Sequence, residues 1–219
     1  MAIKRVLIDL VDIFNDPIDD CFIHYAEDNI MEIYVLIIGQ KNTPYEGGFY
    51  QFKIDISNKY PFDPPKVSFL STYDKIRFHP NLYDNGKVCL SILGTWSGPQ
   101  WTSIMNLRSV VLTLQTLFCE NPINCEPGFE NENILSNKSV AYNKAITYFN
   151  VLYSIKWTID NVNINIFKEQ ILKYYNENFE EYKNRLIYLK KVSKIELVKC
   201  CYAMRVNIDY SNVEFVEIE

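Results

Sequence analysis

The hydrophobic pattern changes period along the chain, and the changes divide it into elements. Residues 2–14 place Ile3, Val6, Leu7, Leu10, Val11 and Phe14 at helical spacing. Asn15-Asp16-Pro17 stops that helix, because proline cannot continue it. Residues 21–26 and 30–38 (IMEIYVLII) are β-branched and aromatic and predict two strands joined by Glu27-Asp28-Asn29. GQKNTPYEGG (39–48) is turn chemistry. In FYQFKIDI (49–56), Phe49, Gln51, Lys53 and Asp55 alternate with Tyr50, Phe52, Ile54 and Ile56, which predicts a strand in a sheet with one wet face. YPFDPP (60–65) reads as rigid and extended, and KVSFL (66–70) as a fourth strand.

Beyond residue 70 the period becomes helical. After an irregular stretch, 71–101, the residues Leu107, Val110, Val111, Leu114, Leu117 and Phe118 form the apolar face of a central helix. NPINCEPG (121–128) is a loop, and helices follow at about 137–158 and 165–205. Ile171, Tyr175, Phe179, Tyr182, Leu186 and Leu189 make a broad apolar stripe on the last of these. Strands first and helices later indicate an α+β fold: an N-terminal helix, a four-stranded antiparallel meander, then central and C-terminal helices. The expected division is a core over 1–158, a helical extension packed on it over 159–210, and a loose acidic tail over 211–219.

Composition narrows the function. At 48% hydrophobic and 15% aromatic the chain can build a sizeable core and is not disordered. A net charge of −5 argues against a nucleic-acid partner, which needs a basic face. Asp9 and Asp12 interrupt the apolar run that a signal peptide needs, and no stretch has the length of a membrane span. The six cysteines are therefore expected as free thiols in a reducing compartment, cytoplasmic or nuclear. None lies in a CxxC pair and two histidines cannot complete a zinc finger, so neither metal nor cofactor is expected.

The segment HPNLYDNGKVCLSILGTW (79–96) carries the chemistry. Taken alone, Cys89 between Val88 and Leu90 reads more readily as a small buried hydrophobe than as a nucleophile. Its context is more specific: YPFDPPKV at 60–67, then HPN at 79–81, seven residues, Cys89, and Trp96 and Trp101 beyond. In that order and spacing, over about residues 1–155, the chain resembles the ubiquitin-conjugating enzymes.

The resemblance implies two acyl transfers. Cys89 accepts ubiquitin as a thioester from the activating enzyme of an ATP-dependent pathway, and a substrate lysine or a ligase cysteine then takes it. It implies a structural role for His79, a loop-shaping role for Pro80, and for Asn81 stabilisation of the oxyanion, bracing of the loop, or both. Ser91 and Glu126 stand where relatives place gate residues beside the incoming lysine. Lys4 and Arg5 match positions that meet the activating enzyme, or form a solvated helix face. Phe62 matches a ligase-docking position, or is packed; Trp96 and Trp101 read as core more than contact. The long LSTYDKIRF segment (70–78), the paired-tryptophan loop and EPGFE (126–130) resemble in particular the conjugating domains of large hybrid conjugase–ligases such as Apollon. His79 departs from them, since they carry asparagine before Pro-Asn. A ubiquitin-like modifier in place of ubiquitin, and a non-catalytic ubiquitin-binding scaffold, remain as alternatives.

Overall fold

The computed structural model describes residues 1–26 and 28–218; Glu27, in the expected turn between the first two strands, and Glu219, at the end of the expected tail, lie outside them. Helix α1 (Ala2–Asn15) precedes strands β1 (Cys21–Ala26), β2 (Asn29–Ile38), β3 (Phe49–Asp55) and β4 (Lys66–Phe69), which form one antiparallel sheet in chain order. The register sets Val35 opposite Phe52 and Phe52 opposite Phe69. Val35, Ile37, Tyr50, Phe52 and Ile54 therefore share one face. They form the main core with Val6 and Leu10 of α1, Val110 and Leu114 of α2 (Leu107–Gln115) and Ile146 of α3 (Asn137–Phe149). Ile3, Leu7, Val11 and Phe14, part of the same helical pattern, face outward on α1.

The C-terminal end of α1 is held by one side chain. Arg108 pairs with Asp12 at 2.8 Å and donates to the carbonyls of Asp12 and Asp16 where the helix ends. Helix α2 starts at Asn106, whose side chain accepts from Ser109 N–H at 2.9 Å, a normal N-cap. Helix α3 widens into a π-helical stretch, Asn150–Trp157, before a last α-helical turn, α4 (Thr158–Asp160). Buried Asn150 lies at that widening, accepting from Tyr50 Oη at 2.7 Å and donating to the Glu46 carbonyl at 2.9 Å.

Four expectations need correction. The sheet's second face is wet only at one end, where Lys53 bridges Glu32 and Asp55 at 2.9 and 3.1 Å. At the other end Leu36, Ile38 and Phe49 are buried against Ile171 and Tyr175 of α5 (Lys168–Glu177) and Tyr182 of α6 (Phe179–Val192). The helix expected over 165–205 is thus two helices, and they end at Val192. Residues Glu196–Lys199 and Arg205–Ile208 form an antiparallel hairpin, β5–β6. The expected loose tail is anchored as well: Tyr210 and Val213 are buried, and the Val216 and Ile218 carbonyls accept from Tyr175 and Asn176. Finally, the proline-rich segment turns over residues 58–62 instead of running extended.

The YEGG turn is the seam between sheet and extension. Tyr182 Oη donates to the Gly47 carbonyl at 2.6 Å, and Arg185 donates to the Glu46 carbonyl. Gly47 has φ +70°, and a Cβ there would lie 2.7 Å from the Tyr182 ring; one on Gly48 would lie 1.9 Å from Asn150 Oδ1. Only glycines allow this approach.

Candidate active site

Cys89 sits in the irregular stretch between β4 and α2, and one residue binds it on both sides. Its N–H donates to the Asn81 carbonyl at 2.9 Å, while Asn81 Nδ2 donates to the Cys89 carbonyl at 2.6 Å. Thr95 secures the following turn: its hydroxyl donates to the Val88 carbonyl at 2.8 Å and accepts from Leu90 N–H at 2.9 Å. Cys89 itself is only 1% exposed. The chain then makes a 3-10 turn, Ser91–Leu93, closed by Gly94 at φ +69°. Ser91 is half-buried, close enough to Gly98 that a Cβ there would stand 3.1 Å from its own.

His79 lies under this loop, fully buried. Its Nδ1 accepts from Asn81 N–H at 3.0 Å, and Tyr45 Oη ties the neighbouring Phe78 carbonyl at 2.7 Å. Burial holds the imidazole below its ordinary pKa, so it is neutral. A neutral ring that accepts at Nδ1 carries its proton on Nε2, and Nε2 has no hydrogen-bond partner. Pro80 is fixed by its carbonyl, which accepts from Arg77 at 2.6 Å; the Arg77 guanidinium is sandwiched 3.6 Å from the Tyr83 ring and 4.2 Å from that of Tyr202.

Residues 5–149 match the family model described as "Ubiquitin-conjugating enzyme". The chain belongs to the ubiquitin-conjugating enzyme family. It is 43% identical over 132 residues to "Ubiquitin-conjugating enzyme E2 Z" of Danio rerio, covering 60% of this chain and 40% of that protein. The Homo sapiens protein of the same name is 42% identical over 132 residues, covering 60% and 37%. "Probable ubiquitin-conjugating enzyme protein 17" of Caenorhabditis elegans is 35% identical over 199 residues, covering 86% of this chain and 26% of that one. The chain thus spans about two fifths of the length of the E2 Z relatives it matches. These matches establish the family; they do not bear on the narrower likeness to Apollon.

Within this family setting the expected site residues separate into groups. Asn81 and Cys89 are bonded to one another, with His79 and Pro80 supporting the loop. Glu126 lies in the loop after α2 but its carboxylate accepts from Tyr202 Oη at 2.6 Å, an attachment to the hairpin that the sequence did not suggest. Phe62 is 67% exposed and Trp96 38%, whereas Trp101 is half-buried, donating from Nε1 to the Pro61 carbonyl at 2.7 Å. So the paired-tryptophan loop does adjoin the proline turn, and of its two tryptophans it is Trp101 that packs.

Lys4 is exposed, but Arg5 is not a free helix-face residue. Its guanidinium pairs with buried Asp9 at 2.7 Å and donates to the Met105 carbonyl at 2.9 Å. Asp9 also accepts from Tyr60 Oη and from Leu107 N–H at 3.2 Å. One carboxylate thereby joins α1, the proline turn and the start of α2. The sequence showed Asp9 only as an interruption of an apolar run; its i, i+4 spacing from Arg5 was the available signal.

Sequence-distant side chains also meet behind His79. One of its ring nitrogens and the sulfurs of Cys119 and Cys125 all lie within 4.8 Å of one another. The Cys119 thiol is drawn below the ordinary cysteine range, first by hydrogen bonding with Cys125 and also, against its burial, by the His79 imidazole. Cys125 is pushed up by the same partnership.

Proposed function

We propose that this chain is an active conjugating enzyme that carries ubiquitin as a thioester on Cys89. The observation that carries this reading is the bonded Asn81–Cys89 pair in a loop of the family's pattern. In the first step the Cys89 sulfur attacks the carbonyl of ubiquitin's C-terminal glycine on the activating enzyme, whose own thiol leaves. In the second, a neutral lysine amine attacks the new thioester and Cys89 leaves. Cys89 is almost covered, so charging requires the surrounding loop to yield at the sulfur.

Asn81 has the donor needed in the second step. One Nδ2 hydrogen braces the Cys89 carbonyl and the other is free for an oxyanion. Bracing and oxyanion stabilisation are therefore compatible roles for one amide. Ser91, half-buried at the start of the turn after Cys89, is proposed as a gate residue. Glu126 fills the second gate role only as far as Tyr202 leaves its carboxylate available. Lys4 remains to meet the activating enzyme, with Arg5 bracing the helix that presents it. Exposed Phe62, together with exposed Trp96 in the loop that Trp101 ties to the proline turn, is the proposed ligase-docking surface.

The test is charging with an activating enzyme and ATP on a non-reducing gel. A reductant-sensitive adduct that vanishes in Cys89→Ala supports the reading. An adduct formed only with a ubiquitin-like protein changes the modifier, and none with any modifier leaves a binding scaffold. Asn81→Ala should still charge but slow discharge onto free lysine by about a hundredfold, as loss of an oxyanion donor does.

A further inference from the structure

The His79–Cys119–Cys125 group has no part in the transfer chemistry above, and two uses fit such a trio: metal ligation or thiol redox chemistry. The tautomer decides between them. A metal on Nε2 needs that nitrogen unprotonated, which puts the proton on Nδ1. Nδ1 already accepts from Asn81 N–H at 3.0 Å, so ligation would set two donors against each other and break the contact holding the loop. With the proton on Nε2, His79 instead offers a buried donor that has no hydrogen-bond partner, on a ring with one nitrogen within 4.8 Å of both sulfurs. A donor so placed stabilises a thiolate.

The sulfurs themselves are arranged for a two-step oxidation. Cys119 follows α2 and is half-buried; Cys125 ends the 3-10 turn Pro122–Cys125 and is exposed. Buried Pro122 and Ile123 anchor that turn, which brings the second sulfur back to the first. We propose that Cys119 and Cys125 form a peroxide-sensitive dithiol that closes to a disulfide next to His79. The Cys119 thiolate attacks the hydroperoxide O–O bond, giving a sulfenic acid and releasing the alcohol or water. The Cys125 thiol then attacks that sulfur and expels water. In total, two thiols lose two protons and two electrons, and hydrogen peroxide is reduced to two waters. The remaining cysteines offer poor competition: burial pushes Cys21 and Cys200 up to about 12 and also raises Cys201, and Cys89 is covered.

Both sulfurs fall in one tryptic peptide, 109–138, and Cys89 falls in another, 88–108. The experiment treats the reduced full chain with hydrogen peroxide, alkylates the remaining thiols and weighs the peptides. Peptide 109–138 should lose two hydrogens and recover them with dithiothreitol, about tenfold faster than Cys200 or Cys201 reacts. Cys125→Ser changes an exposed position and should leave Cys119 as a sulfenic acid that dimedone traps. Equal rates at all cysteines, or no sulfenic acid on Cys119 in that variant, would overturn the proposal. So would stoichiometric Co²⁺ binding with a thiolate charge-transfer band that disappears in Cys125→Ser, since the trio would then be a metal site.

Discussion

The two faces of the four-stranded sheet are built on different terms. One is covered along its length by α1, α2 and α3, so Val35, Ile37, Tyr50, Phe52 and Ile54 all lie in the main core. The other is covered at one end only, where Leu36, Ile38 and Phe49 meet α5 and α6, and at its far end Glu32, Lys53 and Asp55 remain in water. The difference is visible inside β2, whose residues 35–38 are fully buried on both sides while Glu32 is not. An unbroken apolar run, IYVLII, is what a strand covered on both faces should look like. That run was a signal for a second covering layer; the alternation in β3 drew attention to the wet end.

Mutations rank the two faces. Phe52→Ala, fully buried on the inner face, should cost about 3–5 kcal/mol and lower the urea midpoint of the whole chain. Ile171→Ala on the outer face should cost about 2–3 kcal/mol, because that smaller cluster can relax toward solvent. If the extension opens separately, this variant will lose hydrogen-exchange protection in α5 and α6 before it loses protection in α2. Tyr182→Phe removes the bond to the Gly47 carbonyl and should cost about 1 kcal/mol, read from the same midpoint. Lys53→Met at the wet end should leave the midpoint unchanged, since its ion pairs are solvated. Equal effects of Phe52→Ala and Lys53→Met would erase the comparison.

What was legible in the sequence was local. Helix α1, the four strands and α2 follow from period and stop signals within a dozen residues, and HPN-x7-C identifies the loop by its spacing. What was not legible depends on distance or on unusual backbone. The β5–β6 hairpin turns through Tyr202 and Ala203 at φ +60° and +57°, positions normally taken by glycine or asparagine, so CCYAM carries no turn signature. Asp9 acquires its role only when Tyr60 and Leu107 fold against it. Glu126 and Tyr202 are 76 positions apart, and nothing in either neighbourhood announces the other.

The Tyr182–Gly47 latch also sets an order in time. It joins positions 135 residues apart, so during synthesis the turn is complete long before its partner exists. At typical elongation rates the interval is on the order of ten seconds, far longer than a hairpin needs to form. Throughout it, Leu36, Ile38 and Phe49 form a bare apolar strip on a newborn sheet. The ribosome-bound chain therefore passes through a stage in which its outer face resembles a chaperone substrate, and α5 and α6 end that exposure on arrival.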